Sequence, residues 1–238
     1  MISLTPPSRL APHSSLVHMF ETLQRELGSA DSIFLGDVSE HGAWALDLES
    51  AMDALRAGAQ AGHALMVLGT AFSFVHLLDY LEARKLNLEF ASGSIALETG
   101  GYKSRSRTLP KTELHSLISR RLGISHANII CEYGMSELGS QAYDRIFPGT
   151  RNTKHETRIF RFPPWCRVQI ISPETGLEVG EGETGLIRIF DLANVYSVTA
   201  IQTEDLGLRR GENFEFIGRA ELSEPRGCSL MAVEALSK

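Results

Sequence analysis

The sequence contains no run of about 18 uncharged apolar residues, the length a helix needs to cross a membrane. The first fifteen residues also lack the apolar centre of a secretory signal peptide, so we expect the protein to be cytoplasmic. Cysteine is scarce: there are three, at Cys131, Cys166 and Cys228, and their spacing fits neither a metal site nor a disulfide framework. The odd count agrees with a reducing compartment.

Positive charge is also in short supply. The formal net charge is −6, from 23 Lys and Arg against 29 Asp and Glu. This balance argues against a nucleic-acid-coating surface, which requires clustered cations. The hydrophobic content of 43% and charged content of 22% are ordinary for a globular protein, and 238 residues can bury a substantial core.

Short apolar runs alternate with segments of helical spacing up to about residue 145. Residues 64–69 predict a buried strand, and residues 72–85 and 111–122 predict helices, the last lying between Pro110 and Gly123. Such alternation predicts an α/β half over residues 16–145, built on a mostly parallel sheet covered by helices. Residues 1–15 contain prolines among serines and are expected to be flexible.

Beyond Arg145 the sequence changes to short strands separated by glycine and proline, which is typical of antiparallel structure with tight turns. We therefore predict a sub-domain boundary near residues 145–157, a β-rich sub-domain over residues 146–220, and a tail over residues 221–238. Asp144, just before the boundary, is interpreted as a turn residue.

The stretch from Ile129 to Glu137 joins an apolar run to polar side chains. Tyr133 could lie against a purine ring, and Gly134 then breaks the strand. The hydroxyl of Ser136 suits a phosphate oxygen, and the carboxylate of Glu137 suits Mg²⁺, which takes oxygen ligands beside phosphates. An ordinary turn after a strand would have the same local pattern.

Further segments offer compatible groups. Gly100 and Gly101 would let the backbone approach a ligand closely, although a simple tight turn has the same composition. Asp205 supplies two acceptor oxygens for neighbouring hydroxyl donors, and a solvated acidic turn is the alternative. Arg219 follows Gly218 where a strand is expected to end.

These segments, in this order, resemble the adenylate-forming superfamily, and within it the LuxE-type acyl-protein synthetases. Residues 133–137 (Tyr-Gly-Met-Ser-Glu) resemble the Tyr-Gly-x-Thr/Ser-Glu motif, and residues 99–103 (Thr-Gly-Gly-Tyr-Lys) resemble a Thr-Gly-Gly-aromatic-Lys motif. Residues 203–205 (Thr-Glu-Asp) resemble Thr-Gly-Asp, with Glu204 in place of glycine. Residues 218–219 resemble the Gly-Arg-x-Asp hinge motif, whose Asp is missing here.

The resemblance implies that a carboxylic or fatty acid reacts with ATP, in the presence of Mg²⁺, to give acyl-AMP and pyrophosphate. Asp205 and Arg219 would hold the ribose, Ser136 the α-phosphate and Glu137 the metal. The residues implied to bind the adenine side of the nucleotide are Gly100, Gly101, Tyr102, Tyr133 and Gly134. Cys228 would accept the acyl group as a thioester and pass it to an acceptor protein such as a reductase or a carrier protein.

The sequence lacks the Ser-Gly-Thr-Thr-Gly-like loop with which full-length relatives grip the ATP phosphates. Three explanations stay open: a partner subunit supplies the loop, the enzyme grips phosphate differently, or the chain is a truncated homologue that no longer adenylates. In the first case the chain is an ATP-dependent acid–thiol ligase that is incomplete on its own. In the last it is a nucleotide-binding, acyl-binding or partner module.

Overall fold

The structure is a computed structural model that describes residues 1–100, 107, 109–146 and 157–220. These residues form two compact units, Met1–Cys131 and a second that begins at Glu132. Gly101, Tyr102 and Cys228 lie outside the described residues, as does the predicted tail. None of the helices in the described part of the chain has the length and apolar content needed to span a bilayer.

The first unit is an α/β structure with parallel strands. Each strand runs parallel to its neighbour in the order β2 (Ile33–Phe34), β1 (Ile2–Ser3), β5 (Met66–Thr70) and β6 (Ile95–Thr99). A separate antiparallel hairpin consists of β3 (Gly36–Val38) and β4 (Trp44–Leu46). The helices are α1 (Ser15–Leu27), α2 (Leu48–Ala61), α3 (Ala71–Ala83) and α4 (Lys111–Leu122). The predicted parallel sheet with helical crossovers is confirmed.

Local sequence signals explain where these helices begin and end. Thr70 ends β5 and caps α3, because its hydroxyl accepts a hydrogen bond from the Ser73 N–H at 3.0 Å. Helix α4 follows Pro110 and stops at Gly123, whose φ of +69° is the left-handed conformation common after a helix. The apolar side chains of both helices enter one aliphatic core.

The start of the chain differs from the sequence expectation. Residues 1–15 were predicted to be flexible, but Ile2–Ser3 forms strand β1 between β2 and β5. Leu4 continues the contact by donating its N–H to the Leu68 carbonyl at 2.7 Å, and its side chain is buried. A strand of two residues is too short to produce a recognisable period, so pairing with β5 decides its conformation.

The second unit is antiparallel. It begins with Glu132 and Tyr133, the last two residues of β7 (Ile129–Tyr133). The strands that follow in the sheet are, in order, β8 (Ala142–Ile146), β9 (Arg158–Arg161), β13 (Asn213–Arg219), β12 (Ala200–Arg210), β11 (Thr184–Asp191) and β10 (Cys166–Ile171). Each described pair in this series is antiparallel, so the β-rich second half is confirmed. The unit includes β8 because that strand pairs with both β7 and β9.

Asp144 is not a turn residue, contrary to the sequence interpretation. It lies within β8 and is buried, and its carboxylate accepts two hydrogen bonds from Arg158, at 2.7 Å from Nε and 3.0 Å from Nη2. A two-point pair of this kind satisfies a buried carboxylate. Arg158 is fourteen residues from Asp144 and lies on another strand, so no local sequence pattern could predict the pair.

Candidate functional site

Tyr133, at the end of β7, is enclosed by phenylalanine side chains. Its ring centroid lies 5.3 Å from that of Phe214, 5.6 Å from Phe216, 6.0 Å from Phe160 and 6.3 Å from Phe162. Only 8% of Tyr133 is exposed, so the ring offers little face to a ligand. The contact between Tyr133 and adenine therefore stays a prediction, whereas the Tyr133 hydroxyl has a defined partner.

That hydroxyl donates a hydrogen bond to Asp205 Oδ2 at 2.8 Å. Burial, together with the charge of Asp205, raises the pKa of Tyr133 far above its usual range, so the phenol keeps its proton. Arg219 Nε lies 3.8 Å from the other oxygen, Asp205 Oδ1. The structure thus brings together Tyr133, Asp205 and Arg219, three residues that the sequence singled out separately.

One acceptor in this group remains available. Among the described residues, no donor is hydrogen-bonded to Asp205 Oδ1, since Arg219 approaches it only at ion-pair distance. The Asp205 side chain is 19% exposed and that of Arg219 is 35% exposed. A partly exposed carboxylate with spare lone pairs beside a guanidinium can accept hydrogen bonds from a hydroxyl-bearing ligand.

An irregularity in β12 orients Asp205. Pairing between β11 and β12 shifts register near this point, so ordinary ladder bonds are interrupted. The hydroxyl of Thr203 bridges the gap: it donates to the Ile187 carbonyl at 2.9 Å and accepts from the Asp205 N–H at 3.1 Å. Thr203 thereby fixes the backbone of Asp205. Thr203 belongs to the Thr-Glu-Asp segment, but its position there did not predict this role.

A second irregularity places Arg219. In the β12–β13 pair, Leu206 lies opposite Gly218 but Gly207 lies opposite Phe216, so Ile217 is an extra residue. Gly218 accommodates this bulge with a φ of 149°, a conformation that glycine tolerates and side-chain-bearing residues avoid. The bulge sets Arg219 directly across from Asp205.

Ser136 and Glu137 lie in the exposed loop between β7 and β8. The Ser136 hydroxyl donates to Glu137 Oε2 at 3.2 Å, and Leu138 N–H closes a turn onto the Met135 carbonyl at 3.1 Å. No group of three or more side chains able to hold a metal occurs within the described residues. A single exposed carboxylate still fits Mg²⁺, which completes its octahedron with substrate phosphates and water.

The end of β11 and the residues after it hold this loop, and no sequence motif pointed to them. Asp191 is fully buried, and its carboxylate accepts hydrogen bonds from the Gly139 N–H at 2.9 Å and the Ser140 hydroxyl at 3.0 Å. Asn194 Nδ2 donates to the Glu137 carbonyl at 2.6 Å. The partners are separated by more than fifty residues in sequence, so no motif spacing could have revealed them.

Cys166 is a half-buried thiol of β10. Burial raises its pKa to about 11, and its S–H lies 3.2 Å from Asp191 Oδ1. A thiol with so high a pKa is a poor nucleophile near neutral pH. Cys131 is also buried, and Lys111 Nζ lies 2.9 Å from its sulfur.

In the first unit, Gly100 directly follows β6, whose Glu98 is buried. Glu98 Oε1 lies 3.2 Å from His115 Nε2 on α4. Burial alone would raise the pKa of Glu98, but the His115 hydrogen bond and the charge of Lys111 outweigh it and hold that pKa below its usual range. The pair fixes the end of β6. The roles predicted for Gly100 and Gly134 stay predictions.

A cavity of about 510 Å³ also opens in the second unit, beside the loop that carries Ser136 and Glu137. Its lining includes Ser140, Gln141, Tyr143, Arg161 and Trp165. The cavity therefore combines aromatic surface with guanidinium and hydroxyl groups, as ligand pockets commonly do.

Comparison with solved structures identifies the fold class. The chain is similar to ATP-bound MatB from Rhodopseudomonas palustris, with a TM-score of 0.59 and 16% identity over 92% of this chain and 40% of that one. It is also similar to the long-chain-fatty-acid-CoA ligase FadD1 from Archaeoglobus fulgidus, with a TM-score of 0.58 and 15% identity over 92% of this chain and 44% of that one. The fold is thus that of the adenylate-forming enzymes.

Sequence comparison then gives the family. The model of the acyl-protein synthetase family, LuxE, matches residues 27–237, so the chain belongs to this family. It is 25% identical to a long-chain-fatty-acid–luciferin-component ligase of Aliivibrio fischeri, over 73% of this chain and 46% of that protein. A ligase of the same name from Vibrio harveyi is 22% identical, over 81% of this chain and 50% of that protein. The chain spans about half the length of these relatives.

Proposed function

We propose that this chain carries the nucleoside-binding half of an acyl-protein synthetase that activates a carboxylic acid, of the fatty-acid class, as acyl-AMP. The observation that supports this most directly is the group formed by Tyr133, Asp205 and Arg219 in the second unit. Membership of the LuxE family, and the names of the two relatives as long-chain-fatty-acid ligases, support the acid class.

Asp205 accepts the ribose hydroxyls. Tyr133 holds one carboxylate oxygen and leaves Oδ1 to the ligand, while Arg219, 3.8 Å from Oδ1, lies beside the incoming nucleotide. The phenol contributes only as a donor because it stays protonated. No donor among the described residues is hydrogen-bonded to Oδ1, so ribose hydroxyls can bind there without displacing a bond of that part of the chain.

Ser136 and Glu137 serve the phosphate end. The exposed hydroxyl of Ser136 donates to the α-phosphate, and Glu137 holds the Mg²⁺. When bound, Mg²⁺ offsets phosphate charge and helps pyrophosphate to leave. The predicted contacts of Gly100, Gly101, Tyr102 and Gly134 with adenine belong to the same proposal.

The acyl group then moves to a thiol. The acid carboxylate displaces pyrophosphate from ATP to give acyl-AMP, and the Cys228 thiolate displaces AMP to give a thioester. Cys131 is buried, and the raised pKa of the half-buried Cys166 makes it a poor nucleophile, so neither of them serves as the acceptor. A reductase or carrier protein takes the acyl group from Cys228. A partner segment or subunit that grips the β- and γ-phosphates belongs to the same proposal.

The test is to incubate the chain with ATP, Mg²⁺ and carboxylic acids of graded chain length, alone and with proteins encoded beside it. Pyrophosphate release reports adenylation, and intact mass reports acylation. We expect acid-dependent pyrophosphate release and a mass increase equal to one acyl group. Cys228→Ala should abolish the mass increase, and the matched variant Cys166→Ser, which keeps a donor for Asp191, should retain it.

Absence of both signals in every combination, while AMP still binds, would favour a nucleotide-binding partner module that does not adenylate. Absence of nucleotide binding as well would overturn the proposed function. Persistence of the acyl adduct in Cys228→Ala would reject only the thioester step.

A further inference from the structure

The loop between β7 and β8 carries Ser136 and Glu137 but depends on other segments for its position. It is exposed at both of these residues and folds back on itself through the Leu138–Met135 turn. A side chain that must meet a phosphate or a metal needs a fixed position, because a displacement of about 1 Å costs on the order of 100-fold in rate. The question is therefore which groups fix the loop.

Asp191 fixes the far end of the loop. Its buried carboxylate gathers the Gly139 N–H and the Ser140 hydroxyl from the loop, the Ala193 N–H from its own segment and the Cys166 thiol from β10. The Gly139 bond reaches Oδ2 and the other three reach Oδ1, so both carboxylate oxygens take part. The loop is thereby joined to two other strands of the second unit.

Asn194 fixes the middle of the loop. Its side-chain nitrogen donates to the Glu137 carbonyl at 2.6 Å and to the Val198 carbonyl at 3.0 Å. The first of these bonds acts on the backbone of Glu137 itself, one residue after Ser136. The Asn194 side chain thus restrains the peptide from which the proposed metal ligand extends.

We propose that Asp191 and Asn194 are positioning residues, which hold the Ser136–Glu137 loop in the geometry that receives the α-phosphate and its metal. This inference rests on the proposed function, because it assigns the loop the phosphate end of the nucleotide. The inference goes beyond the proposed function by identifying the end of β11 and the residues after it as the support of the phosphate end. Neither residue touches the Tyr133–Asp205–Arg219 group through a described contact.

The two ends of the nucleotide can be separated with two ligands. Adenosine has the ribose but no phosphate, whereas AMP has both, so the ratio of their affinities measures the phosphate end alone. We would titrate each ligand, with Mg²⁺, into the full chain and into the variants Asn194→Ala, Asn194→Asp and Asp191→Asn. Asn194→Asp keeps the side-chain shape but replaces the donor with an acceptor facing the Glu137 carbonyl.

We expect the wild-type chain to bind AMP more tightly than adenosine. Each Asn194 variant should reduce the preference for AMP about 10-fold, which is the value of the one hydrogen bond proposed between Ser136 and the charged phosphate. The affinity for adenosine should stay within about twofold of wild type. Asp191→Asn should reduce the preference at least as much. The matched control is Asp144→Asn, which also disturbs a buried carboxylate of the second unit but does not hold the loop. It should lower Tm and keep the preference.

The outcomes distinguish the two proposals. If the wild-type chain prefers AMP and the Asn194 variants retain that preference, the positioning role is overturned while the proposed function stands. Equal weakening of both ligands in the Asn194 variants would indicate a general structural role and also overturn it. If the wild-type chain binds neither ligand, the proposed function fails, and this inference with it.

Discussion

The two units of this protein acquire their structure in different ways. In the first, parallel strands and amphipathic helices follow regular patterns, and a hydrophobic core of residues such as Phe74, Leu78 and Leu81 lies between them. In the second, the residues of the candidate site lie at irregularities of the sheet. Thr203 hydrogen-bonds across a register shift between β11 and β12, and Gly218 lies in a bulge of β13. Regular sequence patterns therefore account for the first unit, whereas the irregular positions of β12 and β13 orient Asp205 and Arg219 in the second.

The largest expected effects are those of truncating a core phenylalanine, and the two units should differ in what that change does to adenosine binding. Phe214 is fully buried and lies against Tyr133 and Phe160, whereas Phe74 is fully buried in the first unit. Phe214→Ala and Phe74→Ala should each lower the free energy of unfolding by about 3–5 kcal/mol. At a temperature where both variants are folded, only Phe214→Ala should weaken adenosine binding, because it releases the Tyr133 ring.

Denaturant unfolding and calorimetric titration measure these two effects. Equal losses of adenosine affinity in both variants would contradict the assignment of the nucleoside end to the second unit.

A smaller effect is expected at the bulge. Gly218→Ala forces a side-chain-bearing residue to a φ of 149°, at a cost of about 1–3 kcal/mol, or moves Arg219 out of register with Asp205. The variant should lose both stability and adenosine affinity. Gly211→Ala, at a hairpin turn with φ of 62°, is the matched control and should lose stability alone. Unchanged affinity in Gly218→Ala would mean that the bulge does not serve the site.

The first unit should show its own dependence on pH. Because the pKa of Glu98 is held below its usual range, the ionised Glu98 stabilises the folded state above the ordinary carboxyl pKa of about 4.3. This contribution is lost as the pH falls from there through the lowered pKa of the folded protein. Glu98→Gln should therefore cost about 1–3 kcal/mol at pH 7 and progressively less on acidification.

Urea unfolding at pH 7, 4 and 3 measures this gap, because the loss falls below pH about 4.3. The exposed Glu113, on the same helix as His115, provides the control variant Glu113→Gln, which should differ little from wild type at any of these values. A gap between wild type and Glu98→Gln that stays constant with pH would contradict the assignment.

The smallest effect is expected at Cys166. With a pKa of about 11, its thiol should react slowly with iodoacetamide at pH 8 and faster as the pH rises towards 11. Peptide mass mapping after timed alkylation gives the rate. Fast labelling at pH 8 would show that the thiol is ionised, and Cys166 would then also be a candidate acyl acceptor.

Part of this structure could be predicted from sequence because local signals decided it. Helix α4 begins and ends where Pro110 and Gly123 predict. Strand β12, which spans Ala200–Arg210, carries Gln202, Glu204 and Asp205 and shows no apolar alternation, so only its pairing with β11 and β13 makes it a strand. It is the longest strand among the described residues.

The candidate site divides in the same way. Tyr133, Asp205 and Arg219 could be named from motifs, but their mutual contacts arise from strand pairing over more than seventy residues. Asp191 and Asn194 could not be named at all. Their role consists of bonds to a distant loop, and nothing in their own neighbourhood distinguishes them from residues of an ordinary turn.

The most direct test of the central claim is the affinity of the chain for adenosine compared with that for 2′,3′-dideoxyadenosine, measured by calorimetry. If Asp205 receives the ribose hydroxyls, the wild-type chain should bind adenosine about 10- to 100-fold more tightly, and Asp205→Asn should lose most of that preference. Equal affinity of the wild-type chain for the two nucleosides would contradict the account.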